Sequence, residues 1–293
     1  MKARFLRSFR HCIRHPSSAL LRFVCFLAAA CTAGVLLLIV GYILVRGIPH
    51  LRPELFALKY NSENVSMLPA IFNTLLMTVL ALLIAGPLGI GGAIYLAEYS
   101  RKGSKLVKLV RVTAETLSGI PSILYGLFGF LFFVMTQKAG EFTPRLGFGL
   151  SILSGALTLS VMILPLILRT AEEALLSVPE SYREGSFGLG AGRLRTVMRI
   201  VMPPAAGGIL AGVILAIGRV VGETAALIYT AGTVADSPKN LLSSGRTLAV
   251  HMYVLSGEGF HIDEAYATAV VLLIIVLGMN TLSAFIAKKI TRG

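Results

Sequence analysis

Six apolar runs, near residues 23–45, 70–96, 112–135, 148–168, 205–230 and 265–287, leave this chain few ways to fold. A hydrocarbon layer takes about 20 helical residues to cross, and each run is long enough. Backbone polar groups in lipid must find partners within the structure, which a helix achieves along its own length. The expected fold is therefore all-α and integral to a membrane, with six transmembrane helices. Composition agrees: charged residues make up 14% of the 293 and mean hydropathy is +0.80, whereas a soluble domain carries about 25% charged residues.

The net charge of +13 does not mark a nucleic-acid binder, because the basic residues lie between apolar runs rather than on one soluble face. Their distribution reads as topology. Nineteen of the 27 Lys and Arg residues fall on one side of the predicted spans and seven on the other, and Arg219 alone lies inside a span. By the positive-inside rule both termini are cytoplasmic. The expected layout is a basic cytoplasmic segment over 1–22, a first span with its external loop over 23–69, a transmembrane domain over 70–287 carrying a polar insert at 169–204, and a cytoplasmic tail over 288–293. Ala28-Ala29-Ala30-Cys31 has the look of a lipoprotein cleavage site, but the apolar run continues to Val45, so an uncleaved span is expected. Cys12, Cys25 and Cys31 lie together near the first run, which predicts neither a disulfide framework nor a metal site.

Several spans are interrupted. Asn73-Thr74 opens the second, which later carries Gly86-Pro87 and further glycines suited to close helix approach. Glu115, Ser118 and Gly119-Ile120-Pro121-Ser122 lie in the third, where the proline predicts a bend that frees backbone groups. Asn73, Glu115, Ser118, Pro121 and Ser122 are candidate pathway or gating residues, beside the plainer reading of a packing kink. The fifth run contains Arg219 near its middle and Glu223 at i+4, about 6 Å along the same helix face. A charge at the bilayer centre costs on the order of 3 kcal/mol on insertion scales. Two readings are open: the pair neutralises itself to stabilise packing, or Arg219 offers its guanidinium fork to an oxyanion while Glu223 positions it.

Enzymatic signatures are missing. No stretch matches G-x-x-x-x-G-K-[ST], G-x-S-x-G or H-E-x-x-H, and the five histidines are scattered through polar segments. The chain is expected to bind no cofactor and to leave any ATP hydrolysis to another subunit.

The polar insert carries its own pattern. Pro179 suits a first helical turn, Glu180 to Gly188 can run helically with Tyr182 and Phe187 as anchors, and Gly188, Gly190 and Gly192 stop it. Leu194, Val197, Met198 and Val201 then restart an apolar face. Read alone, this knob lies on lipid headgroups or docks a partner. Its string Glu184-Gly185-Ser186, Gly190, Ile200, Met202-Pro203 resembles the EAA loop of ABC importer permeases: E-A-A, three residues, G, nine residues, I, one residue, L-P. Gly185, Ser186 and Met202 depart from the usual residues while the spacing is kept.

Further segments narrow the resemblance. Asn73-Thr74-Leu75, Ala93 to Tyr99, Gly119-Ile120-Pro121-Ser122 with Tyr125-Gly126-Leu127-Phe128-Gly129, Thr170 to Leu175, and Gly222-Glu223-Thr224-Ala225 resemble the phosphate-specific (Pst) importer permeases, the PstA branch in particular. That resemblance implies a type I ABC importer permease fold in a bacterial inner membrane and import of inorganic phosphate by alternating access. It also implies a heterodimer with a PstC-like permease, two PstB-like ATPase subunits holding ATP and Mg, and a periplasmic phosphate-binding protein, with lipid around the spans and no nucleic acid. Tyr182, Glu184, Gly185, Ser186, Gly190, Ile200 and Pro203 would then couple to the ATPase, and Arg219 and Glu223 would lie on the substrate pathway. The alternatives are the sister PstC-like subunit, a permease for another oxyanion such as phosphonate, sulfate or molybdate, and a stand-alone secondary transporter or channel.

Overall fold

The computed structural model describes residues 16–101, 103–136 and 146–290. The expected basic N-terminal segment lies mostly outside these residues, as do Cys12, Lys102, Lys138, Arg145 and Arg292. Among the described residues there is no strand. The helices in chain order are α1 (Pro16–Gly47), α2 (Leu68–Tyr99), α3 (Lys105–Ser118), α4 (Ser122–Val134), α5 (Ile152–Leu176), α6 (Glu180–Gly188), α7 (Arg193–Val221), α8 (Ala225–Thr230), α9 (Leu248–Glu258) and α10 (Ile262–Ile290). Five of them, α1, α2, α5, α7 and α10, are long and apolar enough to cross a membrane, and α3 with α4 supplies a sixth span only as a bent pair.

The bend is 103°. Pro121 has no N–H to donate and pushes the residue before it out of helical geometry, so α3 stops at Ser118 and α4 starts afresh after Pro121. The break expected at Gly119-Ile120-Pro121 is thus present, as a near right angle rather than a kink.

The fifth span differs from its expected limits of 205–230. It begins at Arg193 and ends at Val221, so the second half of the polar insert and the span form one helix. Pro203 and Pro204 do not break it, because the turn before them widens over Val197–Val201 into a π-type stretch that absorbs the missing donors. Gly222 closes α7, and after Thr224 a short new helix, α8, begins.

Packing is centred on α5, which lies against α2 on one side and α7 on the other. Met77, Ala81 and Ala85 from α2, Leu159, Ile163 and Ile167 from α5, and Ala216 and Val220 from α7 form one buried core. The helices that follow the breaks at Pro121 and Gly222 dock on each other: a Cβ at Gly126 of α4 would sit 2.8 Å from the Ala226 Cα of α8. Only a glycine lets the two backbones approach so closely. By contrast, α1 leaves its apolar stretch uncovered and leans on α10, where the Tyr42 and Tyr266 rings meet edge to face at 5.8 Å.

At the end remote from the insert, the segment before α9 folds back onto α2. Asn73 Nδ2 donates to the Arg246 carbonyl at 3.1 Å, and the Leu248 N–H donates to Thr74 Oγ1 at 2.8 Å. His251 of α9 is buried there, and burial together with the nearby positive charge of Arg246 pushes its pKa down to about 3. The unfolded chain binds a proton at this residue below about pH 6.5 and the folded chain does not. Stability from this group is therefore complete above about pH 6.5 and declines as pH falls toward 3, by at most about 1.4 kcal/mol per pH unit. Thermal unfolding followed between pH 7 and 4 should show this slope in the wild type and a shallower one in His251→Phe; equal slopes would mean that the imidazole stays accessible to protons.

Candidate functional site

The segment between α5 and α7 builds a projection from short-range rules. Pro179 precedes the first turn of α6, and Gly190 takes φ +80°, a left-handed turn that reverses the chain. The Gly190 N–H donates to the Phe187 carbonyl at 2.9 Å, and the Ala191 N–H to the Ser186 carbonyl at 3.1 Å. Ser186, one of the departures from the importer motif, is buried, and its hydroxyl lies 2.8 Å from that of Thr196, tying α6 to the start of α7. Gly185, the other departure within α6, has open space where a side chain would stand.

Between α6 and α7 lies a groove of about 660 Å³, lined by Tyr182, Gly185, Ser186, Leu189, Gly190 and Ile200 among others. Leu189 at its rim is 91% exposed. An apolar residue so displayed on a projecting turn marks a contact surface rather than a core. The structure thus brings five of the seven sequence-chosen insert residues to this groove; Glu184 lies exposed on α6 beside it, and Pro203 sits further along α7.

What holds the projection to the bundle was not chosen from the sequence. The Arg183 guanidinium donates to the Glu98 carboxylate at the end of α2 at 2.6 and 3.1 Å, and also to the Leu175 and Val178 carbonyls at 2.9 and 2.7 Å. Both side chains are largely buried. The fork therefore joins three elements: α6, the tail of α2, and the last turn of α5 with the residues just beyond it, where Pro179 has no N–H to give the Leu175 carbonyl and that oxygen accepts only a long bond from the Val178 N–H besides the guanidinium. The signal available in the sequence was Glu98 next to an apolar run, since a carboxylate in such a place is rarely buried without a partner.

A second set of charges lies close by, between α3 and α5. Arg111 binds the buried Glu172 through Nε at 2.8 Å and Nη2 at 2.6 Å, while Arg169 reaches Glu173 at 3.0 Å and Glu115 at 3.6 Å. These side chains line a cavity of about 270 Å³. Glu115 is thus one of a group of charges, whereas Ser118 returns its hydroxyl to the Ala114 carbonyl of its own helix at 2.9 Å. Asn73 is buried and committed to the Arg246 carbonyl, away from this group.

Arg219 and Glu223 do not form the expected pair. Arg219 occupies the last turn of α7, where the negative end of the helix dipole favours a cation. Glu223 lies past the helix end; it is buried, and its Oε1 accepts from the Ala226 N–H at 3.1 Å, which satisfies a first-turn donor of α8. Among the described residues no ion pair joins Arg219 to Glu223 or to any other carboxylate. Pro121 and Ser122 mark the corresponding break between α3 and α4, and the half-helices after the two breaks pack together through Gly126 and Ala226. Broken helices that meet within a membrane expose backbone groups only where they line a cavity or are covered by protein.

A bundle of apolar spans, one of them a sharply bent helix pair docked on the short helix after α7, with a grooved helical projection built into the chain, is the architecture of a membrane permease subunit. The chain belongs to the family of binding-protein-dependent transport system inner membrane components, whose profile matches residues 85–293. It is 35% identical over 287 residues to the probable ABC transporter permease protein YqgI of Bacillus subtilis, covering 90% of this chain and 94% of that one. It is 33% identical to the phosphate transport system permease protein PstA of Pasteurella multocida, over 81% and 82% of the two chains. Among solved structures, a bacterial ABC transporter involved in import of the acidic polysaccharide alginate aligns over 97% of this chain and 99% of its own, with TM-score 0.65 and 17% identity. An inward-facing methionine ABC transporter aligns over 76% and 93%, with TM-score 0.54 and 18% identity. These two likenesses concern the fold. The chain is accordingly a multi-pass permease subunit and not the ATPase of its transporter, and a permease of this family works with a second permease, an ATPase and a substrate-binding protein.

Proposed function

We propose that the chain is the PstA-type permease of an ATP-driven importer of inorganic phosphate, oriented with both termini in the cytoplasm. Its companions in this reading are a PstC-like permease, two PstB-like ATPases holding ATP and Mg, and a phosphate-binding protein on the far side of the membrane. The observation that carries the substrate is the family of relatives: permease proteins named for phosphate transport are 31–33% identical to this chain over most of its length. An arginine at a helix break with no carboxylate to neutralise it, Arg219, suits that substrate, because guanidinium geometry matches an oxyanion better than a point charge does.

The 169–204 segment is the coupling element. Its groove, with Tyr182, Gly185, Ser186, Gly190 and Ile200, seats on the ATPase, and ATP-driven approach of the two ATPases moves it. The bundle then exposes its pathway to one side and, after hydrolysis, to the other. Such a cycle is driven only by as much as the partner contacts differ between its two states.

Reconstitution with the companion subunits in liposomes tests this reading. Labelled phosphate should accumulate only with ATP, and unlabelled sulfate, molybdate or phosphonate should compete poorly; preferential competition by one of these would move the substrate to that oxyanion. Gly190→Ala places a Cβ in the left-handed region, at a cost of about 1–2 kcal/mol. Together with Glu184→Ala, it should lower ATPase stimulation and transport in parallel. Poor transport with a normal ATPase response would place the segment in substrate handling instead.

A further inference from the structure

The interior at the end remote from the insert holds a positive charge that no carboxylate among the described residues pairs with. Arg246 is 3% exposed, and its Nε and Nη2 find no acceptor. The guanidinium stacks 4.8 Å from the centre of the Tyr60 ring, a cation–π contact that leaves its in-plane donors unused. On the next residue Thr247 Oγ1 is buried without a hydrogen-bond partner, and the His251 ring nitrogens make no hydrogen bond of good geometry, the Val65 backbone being the polar group that bears on the imidazole; His251 meets the same Tyr60 ring edge to face at 6.3 Å. Burial and Arg246 keep this imidazole neutral at ordinary pH.

The backbone under these side chains is firmly placed. The Arg246 N–H donates to the Val234 carbonyl at 2.9 Å, the Gly245 N–H to the Ala231 carbonyl at 3.2 Å, and Asn73 and Thr74 hold the chain on either side of Thr247. Arg246 and Thr247 stand directly before α9; Thr247 makes no cap bond of its own, and Thr74 Oγ1 takes only the Leu248 N–H, so the remaining first-turn donors keep a positive helix end beside the guanidinium. Buried polar groups are normally satisfied, and a buried guanidinium left alone costs several kcal/mol. The other largely buried guanidinium discussed above, Arg183, has both a carboxylate and two carbonyls. Here a buried cation and a neutral imidazole share the Tyr60 ring at the start of α9, the hydroxyl of Thr247 lies on the next residue, and among the described residues no carboxylate pairs with the cation.

We propose that Arg246, Thr247 and His251 form a second anion site, separate from Arg219, which takes one small oxyanion of the class the protein imports. Arg246 supplies charge and two donors, Thr247 a third donor, and His251 a donor or an acceptor according to the protonation of the oxyanion. This rests on the phosphate reading for the identity of the oxyanion and on the proposed orientation for its place. The site would then be the receiving station on the external side, occupied before Arg219.

The test is equilibrium binding of labelled inorganic phosphate to the assembled importer without ATP and without the binding protein. Saturable binding should survive Arg219→Gln. Adding Arg246→Gln to that background should weaken it at least tenfold, and adding Thr247→Val, which keeps the side-chain shape, should weaken it by about tenfold or somewhat less. Loss of all binding in Arg219→Gln alone, or undiminished binding with Thr247→Val, overturns the proposal. If the Arg246 variant does not assemble, Thr247→Val decides. If the wild-type importer takes up sulfate or molybdate instead, the phosphate reading falls, and the same series run with that labelled oxyanion decides the site on its own.

Discussion

Replacing Arg183 with alanine is expected to destabilise the assembled permease by about 3–5 kcal/mol, the usual result of breaking a buried ion pair from one side. Glu98 would keep its charge in a buried position, the Val178 carbonyl would lose the Arg183 donor, and the Leu175 carbonyl would keep only its long bond from the Val178 N–H. Lysine should recover little of this. Its single ammonium cannot meet both oxygens of a carboxylate and two carbonyls lying on other sides of a planar fork. Replacing Arg183 and Glu98 together with methionine and leucine should cost less than the single alanine, since no charge is then stranded. Thermal unfolding of the purified complex, read with the ATPase response, distinguishes the cases. A loss below about 1 kcal/mol in Arg183→Ala would reduce the fork to an ordinary surface pair.

The second large effect concerns transport and leaves the fold nearly untouched. Arg219→Gln should reduce phosphate uptake on the order of a hundredfold, the equivalent of one or two charge-assisted hydrogen bonds to the substrate. The same variant should insert and assemble normally, because the wild-type side chain has no ion pair among the described residues whose loss would strand a carboxylate. Glu223→Gln offers the contrast. It retains an acceptor for the Ala226 N–H, so α8 keeps its cap and any transport defect reports charge alone; Glu223→Ala removes the cap as well, at about 1 kcal/mol. Uptake near the wild-type level in Arg219→Gln would take this residue out of the pathway.

The spans were legible because lipid imposes one rule on every residue of a crossing helix, and runs of apolar side chains obey it visibly. Turn chemistry was legible too: Pro121 ends one helix and starts another, and Gly190 takes the positive φ that the motif spacing places there. The fifth span was misplaced for two local reasons. The apolar run is continuous only past Pro203 and Pro204, yet a widened turn carries the helix through both from Arg193. Glu223 looked like the i+4 partner of Arg219, yet a glutamate after a glycine caps a new helix as readily as it continues an old one. The Arg183–Glu98 fork and the Arg246 cluster lay out of reach of sequence reading, since each joins residues far apart in the chain whose individual settings look like ordinary loop ends.

The unbroken α7 has a mechanical consequence. At 1.5 Å per residue its 29 residues make a rod about 44 Å long, with the α6 groove at one end and Arg219 in the last turn at the other. If such a rod pivots near its middle by about 5°, each tip sweeps about 2 Å, comparable to the shifts that separate discrete states at packed interfaces. The widened turn at Val197–Val201 lies close to the groove, and beyond it the helix is regular from Met202 to Val221, where Arg219 stands in the last turn. In the proposed coupling role, a displacement imposed at the groove would then reach Arg219 reversed in direction and similar in size, with no relay of side-chain rearrangements between them.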